Sequence, residues 1–316
     1  NDDLSKIMDT TDEWIQERTG IKERRHIVRG EDTTTSMGVK AAKIAIERSG
    51  VANDDIDFIV FATISPDYYF PGPGVALQQE LGLKTVGALD IRNQCSGFIY
   101  ALSVADQFIK TGMYKNILVV ASEVQSLGLD MTNRGRGVSV IFGDGAGAAL
   151  VSREVDTTKG ILSTHLHSEG QHAEELSLIA PGMGKRWVTD IIADNDPNDE
   201  SYYPYMNGQF VFKNAVVRFS EVINEGLQAN NLQVSDINML VPHQANLRIS
   251  QFIQQKFRLT DDQVFNNIQK YGNTTAASIP IALTEAWEQG KIKSGDLVVL
   301  AAFGSGFTWG SVIIRW

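Results

Sequence analysis

The chain has a single cysteine in 316 residues, which excludes an intramolecular disulfide and a cysteine-rich metal site. Its thiol stays free, and a free thiol fits a reducing cytoplasm. Long hydrophobic runs are also absent. No stretch approaches the roughly 20 uninterrupted apolar residues that a membrane helix needs, so no membrane insertion is expected. Positive charge is scarce: 28 Lys and Arg against 38 Asp and Glu give a formal net charge of −10. That argues against nucleic-acid binding, and it requires any dock for an acidic partner to be a local basic patch. No low-complexity linker divides the chain. One loosely composed segment, Ala193 to Ser201, is expected to be a solvated loop.

What is present is an internal repeat. A helical stretch from Lys40 to Gly50 runs into Asp55-Ile-Asp-Phe-Ile-Val-Phe. A similar one from about Val216 to Leu227 runs into Asp236-Ile-Asn-Met-Leu-Val-Pro. Cys95 to Gly112 has Phe98, Ala101, Leu102, Ala105 and Phe108 on one helical face, and its counterpart spans about Thr275 to Gly290. Each is followed by a buried-strand run, Ile117-Leu-Val-Val-Ala and Leu297-Val-Val-Leu-Ala. Phe142-Gly-Asp-Gly then pairs with Phe303-Gly-Ser-Gly, each leading into a closing strand. Apolar strands alternating with helices imply an α/β fold with parallel sheets covered on both faces. The 43% hydrophobic content can fill a sizeable core. Two α/β halves, 1–155 and 156–316, are therefore expected around a pseudo-twofold axis.

Ligands of such folds collect at the carboxyl ends of strands. Cys95 follows Gly87-Ala-Leu-Asp-Ile-Arg, His243 follows Met239-Leu-Val-Pro, and Asn273 follows Val264-Phe-Asn-Asn-Ile as the repeat's twin of Cys95. A helix amino terminus at Cys95 favours a thiolate, although a lone cysteine is also common core filler. His243 alone could be structural, and Asn273 a helix cap. Together the three supply a nucleophile and two hydrogen-bond donors for a developing enolate. The Phe303-Gly-Ser-Gly turn offers backbone N–H groups for an oxyanion, or is a tight turn. His165 and His167 alternate on one strand without a third ligand at a telling spacing, so no metal is expected.

The segments Asn93-Gln-Cys-Ser-Gly-Phe, Val241-Pro-His-Gln-Ala-Asn-Leu-Arg, Tyr271-Gly-Asn-Thr and Ala302-Phe-Gly-Ser-Gly-Phe-Thr-Trp-Gly closely resemble the β-ketoacyl-acyl-carrier-protein synthase III family of the thiolase superfamily. The likeness runs through essentially the whole chain, including Thr11-Asp-Glu-Trp-Ile and Arg18-Thr-Gly-Ile. It implies a thiolase-like duplicated fold, layered α-β-α-β-α. It also implies a decarboxylating condensation of an acyl-coenzyme A primer with malonyl-acyl-carrier protein, initiating fatty acid synthesis. Cys95 would carry the acyl group, while His243 and Asn273 would serve the malonyl enolate. The backbone N–H groups of Cys95 and Ser305 would form the oxyanion hole.

Further roles follow from the same resemblance. Trp14, Arg18 and Arg136 would hold coenzyme A, with Arg134 competing for the place of Arg136 because Thr132-Asn-Arg-Gly-Arg-Gly carries an extra Arg-Gly. Phe212 and Asn246 would line the pantetheine channel. Lys213, Arg248 and Lys256 would dock the acidic carrier protein, and Phe70 would reach the acyl pocket of a homodimer partner. No cofactor is implied, since coenzyme A enters as the thioester substrate. The single cysteine separates the chain from thiolases, which use two, and Asn273 separates it from elongating synthases, which have a second histidine there. Gln94-Cys95-Ser96 in place of the commoner Ala-Cys-Ala keeps an alternative open: a related condensing enzyme of a specialised pathway, using other acyl chains or malonyl-coenzyme A. Finally, the second repeat opens with the strand Gly160-Ile-Leu-Ser-Thr-His-Leu and the first has no counterpart. The natural protein is therefore expected to carry roughly 15 to 20 further leading residues, including a strand that pairs within the first sheet.

Overall fold

The structure, a computed structural model, describes residues 1–196 and 198–316. Its strands are β1 (Phe58–Ala62), β2 (Gly87–Ile91), β3 (Asn116–Glu123), β4 (Gly145–Ser152), β5 (Gly160–Ser168), β6 (Leu176–Ser177), β7 (Tyr205–Met206), β8 (Met239–Pro242), β9 (Leu297–Gly304) and β10 (Thr308–Arg315). The helices of the first half are α1 (Asp12–Thr19), α2 (Thr34–Ser49), α3 (Pro73–Glu80), α4 (Gly97–Lys110) and α5 (Arg136–Ser139). Those of the second are α6 (Val188–Asp194), α7 (Gly208–Ala229), α8 (Leu247–Phe257), α9 (Ile268–Tyr271) and α10 (Ser278–Glu288).

The strands form two main sheets, ordered β2-β1-β3-β4 and β5-β10-β9-β8, and β6 pairs with β7 in a separate ribbon. Side chains that alternate along each strand enter different cores, as the period of two requires. Val60, Ala62, Val119 and Ala121 face inward and meet Val298, Leu300 and Ala302 of the other sheet around Phe98 and Leu102 of α4 and Ala282 of α10. Ile59, Phe61, Leu118 and Val120 face outward onto Val39, Ala42 and Ile46 of α2 and Leu77 of α3. In the second half, Val299 and Ala301 face Phe219 and Ile223 of α7 and Ile253 of α8. The result is the five-layered thiolase arrangement, with α4 and α10 between the sheets. Burying a side chain such as the fully enclosed Phe98 contributes roughly 2 kcal/mol.

The helices begin and end on recognisable signals. Thr33 and Ser36 form a reciprocal capping box at the start of α2, and Gly50, at φ 71°, closes it. Asn207 caps α7, accepting from the Phe210 N–H at 3.4 Å. α7 is consequently longer than the expected stretch from Val216 to Leu227, because its first two turns are only partly apolar.

Three expectations need correction. The sheets are mixed. β1 is parallel to β2 and β3, and β8 to β9, but β4, β5 and β10 pair antiparallel. The closing strand of the second half returns through the short 305–307 turn, which leaves no room for a crossover helix. The run Val264-Phe-Asn-Asn-Ile is no strand: Val264 makes one isolated bridge to Leu240. Lastly, the segment from Ala193 to Ser201 is partly ordered, with Ala193 and Asp194 ending α6 and Ser201 inside a 3-10 turn, Glu200–Tyr202; Pro197 lies outside the described residues. The strands of the first sheet fall within 58–152 and those of the second within 160–315. Among the described residues β4 pairs with β3 alone, whereas its counterpart β10 is flanked by β9 and β5.

Candidate active site

Cys95 lies in a 3-10 turn, Gln94–Ser96, that leads into α4. The turn is tightly built. Gln94 takes φ 43°, Ser96 Oγ donates to the Asn93 carbonyl at 2.9 Å, and it shares a 2.7 Å hydrogen bond with Thr308 Oγ1. Opposite stands Gly304 at the end of β9. A Cβ there would lie 2.7 Å from Cys95 Cβ and 3.1 Å from Cys95 N, so only glycine allows this approach. Next to it, the Ser305 hydroxyl donates to the Leu176 carbonyl and fixes the turn.

His243 follows β8 and is held by its own N–H, which donates to the Ala301 carbonyl at 2.8 Å. Its Nδ1 is 2.6 Å from Ser278 Oγ at the start of α10. Its Nε2 is buried and has no partner among the described residues. Burial pushes the imidazole pKa down to about 3, so the ring is neutral at working pH. Asn273 stands between α9 and a 3-10 turn, Thr275–Ala277. Its backbone N–H donates to Ile141 O at 2.9 Å and its carbonyl accepts from Gly143 N at 3.0 Å, which joins the two halves. The Thr275 N–H donates to Asn273 Oδ1 at 2.8 Å, leaving the amide nitrogen to face the Cys95 thiol, on which it acts.

The environment of Cys95 corrects one expectation. The thiol is almost fully buried, and burial, followed by the charge of Glu123, pushes its pKa up to about 12. Backbone N–H at the turn and the Asn273 amide pull the other way but do not prevail. Desolvation therefore outweighs the helix terminus that the sequence suggested would favour a thiolate.

A cavity of about 770 Å³ connects these groups to solvent. Cys95, His243 and Asn273 are buried in it, whereas Arg18, Lys213 and Arg248 are exposed at its opening. Phe212 and Asn246 lie on the wall between. At the opening, Trp14 is flanked by two guanidinium groups, Arg18 at 4.4 Å and Arg136 at 5.2 Å from its ring centroid. Arg134 points elsewhere: it pairs with Asp130 at 2.5 Å and covers Tyr203. Lys256, on the exposed side of α8, and Ser305 do not line the cavity, although Gly304 does. Phe70 is 81% exposed and away from the cavity of its own chain. His165 and His167 share the carboxylate of Glu225, at 3.3 and 2.6 Å, and among the described residues no cluster of three or more His, Cys, Asp or Glu is placed to hold a metal ion.

Sequence reasoning missed four residues that the site depends on: Ser278, Glu123, Gly304 and Gln244. The Gln244 amide accepts from Asn267 and Ile268 N–H and donates to the Pro242 and Phe265 carbonyls, pinning the segment beside His243. Gln244, next to the histidine in its motif, and Gly304, inside the Phe303-Gly-Ser-Gly turn, had a sequence signal; Ser278 and Glu123 had none.

Two facing halves with a single thiol at their join are the architecture of thiolase-class condensing enzymes, which are acyltransferases. Residues 89–170 match the family described as 3-oxoacyl-[acyl-carrier-protein (ACP)] synthase III, and residues 227–316 match its C-terminal part. The chain is 45% identical to the β-ketoacyl-[acyl-carrier-protein] synthase III of Sulfurimonas denitrificans over 99% of its own length and 92% of the relative's. It is 46% identical to that of Shigella dysenteriae, covering 100% of this chain and 94% of the relative. The crystal structure of 3-oxoacyl-[acyl-carrier-protein] synthase III from Aquifex aeolicus superposes with a TM-score of 0.90 at 43% identity, covering 100% of this chain and 94% of that one. The chain belongs to the β-ketoacyl-[acyl-carrier-protein] synthase III family.

Proposed function

We propose that the protein condenses an acyl-coenzyme A primer with malonyl-acyl-carrier protein, releasing carbon dioxide and giving a 3-oxoacyl-carrier protein. In the first half-reaction Cys95 Sγ attacks the primer's thioester carbon, the thiol proton leaves with coenzyme A, and an acyl-Cys95 thioester remains. In the second, the malonyl carboxylate departs as carbon dioxide and its electron pair forms an enolate. The enolate carbon attacks the acyl carbon, and the Cys95 thiolate is expelled.

The observation that carries this reading is the pair of donors beside Cys95. A neutral His243 with a free Nε2 and an Asn273 with a free amide nitrogen suit an enolate oxygen and do not suit proton abstraction from the thiol. The Cys95 N–H, close against Gly304, and the Ser305 N–H serve the tetrahedral oxyanion in this scheme. Trp14 between Arg18 and Arg136 receives the adenine and phosphates of coenzyme A, and the pantetheine arm passes Phe212 and Asn246. Lys213, Arg248 and Lys256, none of them in an ion pair among the described residues, form the carrier-protein dock. The scheme needs neither metal nor cofactor.

We also place the protein in the cytoplasm as a homodimer. Supporting the dimer, β2 is an edge strand with Leu89 exposed, and Tyr68, Tyr69 and Phe70 are exposed together. Phe70 is the residue offered to the partner's acyl pocket.

Incubation with acyl-coenzyme A should add one acyl mass to the wild type and none to Cys95→Ala. His243→Ala or Asn273→Ala should reduce malonyl decarboxylation by roughly a hundredfold while largely sparing acylation. An acyl adduct on Cys95→Ala would remove the thiol from the mechanism.

A further inference from the structure

Glu123, the last residue of β3, is completely buried, and the reaction above leaves it unused. Four donors converge on one of its oxygens. Ser65 Oγ lies 2.7 Å from Oε2, Thr63 Oγ1 3.0 Å, Ile64 N 3.1 Å and Gln125 Nε2 3.2 Å. The other oxygen, Oε1, is equally buried and has no hydrogen-bond partner among the described residues. Most buried polar atoms of folded proteins are hydrogen-bonded, so a carboxylate satisfied on one side alone calls for an explanation. This one faces the Thr275–Ala277 turn, which packs between the end of β3 and the Cys95 turn.

We propose that Glu123 is a positioning residue for the nucleophile. The buried space between it and Cys95 holds one negative charge, on the carboxyl or on the thiol, and not on both. The inference rests on the reading of Cys95 as the acyl carrier. Its physical basis is the mutual exclusion of like charges in a dry site. Burial raises the carboxyl to about 7, and the carboxylate in turn is the second-largest influence raising the thiol.

Among the described residues no cation relieves the pair. The influences on Glu123 are desolvation, which raises it, and the donors Ser65, Ile64 and Thr63, which lower it; the nearby Ala276 N–H, outside hydrogen-bonding geometry, acts least. Opposite it in the sheet is Gly145. The neighbouring Asp144 is occupied by the N–H groups of Ile27, Gln125 and Ser126 and by the Ser126 hydroxyl. His243, the nearest imidazole in the site, is neutral.

Shared charge has a kinetic signature. As pH rises through the first ionisation, thiolate with protonated Glu123 and thiol with ionised Glu123 appear in a fixed ratio. The reactive thiolate fraction therefore rises and then levels off. Further thiolate forms only when the second proton leaves, far higher.

The test is the rate of Cys95 alkylation by iodoacetamide against pH, on the whole protein, whose single cysteine makes the label specific. Wild type should level off near pH 7. Glu123→Gln should instead gain about tenfold per pH unit through that range, with no break until its own thiol ionises. Ser65→Ala, which removes one donor from the carboxylate and leaves the buried chain intact, should move the break to higher pH. A wild-type profile without a break, or a break that persists in Glu123→Gln or stays put in Ser65→Ala, overturns the proposal. Where Glu123→Gln does not fold, Ser65→Ala decides alone. Acylation by acyl-coenzyme A, followed by mass in parallel, separates the two readings: acylation without a break sinks only the role of Glu123, and absence of acylation sinks the role of Cys95.

Discussion

Ser278 holds His243 in one tautomer. The Gln244 N–H donates to Ser278 Oγ at 3.4 Å, and the serine hydroxyl has His243 Nδ1, at 2.6 Å, as its one acceptor among the described residues. With Nδ1 accepting, the ring proton is on Nε2, the nitrogen directed at the cavity without a partner. The histidine is thereby a hydrogen-bond donor that stays neutral, which is what an enolate oxygen needs.

Ser278→Ala should therefore leave acylation of Cys95 near the wild-type rate and slow malonyl decarboxylation by about tenfold, the worth of one orienting hydrogen bond. Decarboxylation measured as carbon dioxide release, with and without primer, checks this. An unchanged rate would mean that packing alone orients the ring.

The buried neutral histidine also predicts a pH dependence of stability. His243 has an ordinary value of 6.5 and a folded value of about 3, so below 6.5 the unfolded chain binds a proton that the folded chain refuses. Its contribution is complete above 6.5 and declines as pH falls toward 3, by up to about 1.4 kcal/mol per pH unit. Glu123 acts in the opposite sense between 4.5 and about 7, because its folded form holds the proton more tightly. The difference in urea stability between wild type and His243→Asn isolates the histidine: it should shrink on acidification. A difference that is flat across that range would contradict the neutral ring.

The extra Arg-Gly gives a clean comparison. Arg136 flanks Trp14 and Arg134 is committed to Asp130 and Tyr203. Arg136→Ala should raise the KM for acyl-coenzyme A by about tenfold, as loss of a cation beside an aromatic ring and a phosphate contact implies. Arg134→Ala should leave KM within about twofold and lower the melting temperature instead, because it strands the buried Asp130. Coenzyme A binding measured by calorimetry should give the same ranking independently of turnover.

Gly304→Ala tests the close approach to Cys95. A Cβ 2.7 Å from Cys95 Cβ must displace the nucleophile's turn or the end of β9. Acylation should fall by about a hundredfold, as for a misplacement near 1 Å, with a stability loss of about 1–3 kcal/mol. Acylation at the wild-type rate would show that the turn yields freely.

For the carrier-protein dock, Arg248→Glu should raise the KM for malonyl-acyl-carrier protein at low salt, and the effect should fade as salt is added. Transfer from acyl-coenzyme A should be spared. Unchanged kinetics with the carrier protein at low ionic strength would dispose of the patch.

The duplicated helices and strands, and the three residues Cys95, His243 and Asn273, were legible because they depend on local signals. Period two and period 3.6 mark the buried faces, Cys95 and His243 stand just beyond the ends of β2 and β8, and Asn273 is the twin of Cys95 in the repeat. The antiparallel closing strands were not legible, because a buried strand reads the same whichever way its neighbour runs. The run around Val264 misled for the same reason, since its apolar residues are buried by packing and not by a sheet.

What the sequence by itself determined is the order of the elements, the family and which polar side chains meet in the cavity: Cys95, His243 and Asn273. What only the tertiary structure decided is their state. Ser278 is 35 residues from His243, and Glu123, whose charge acts on Cys95, is held by residues about 60 positions away in the chain. The neutrality of the imidazole and the high pKa of the thiol come from how much water packing removes and which dipoles remain. Desolvation is a property of the assembled interior, so no reading of neighbours along the chain could supply it.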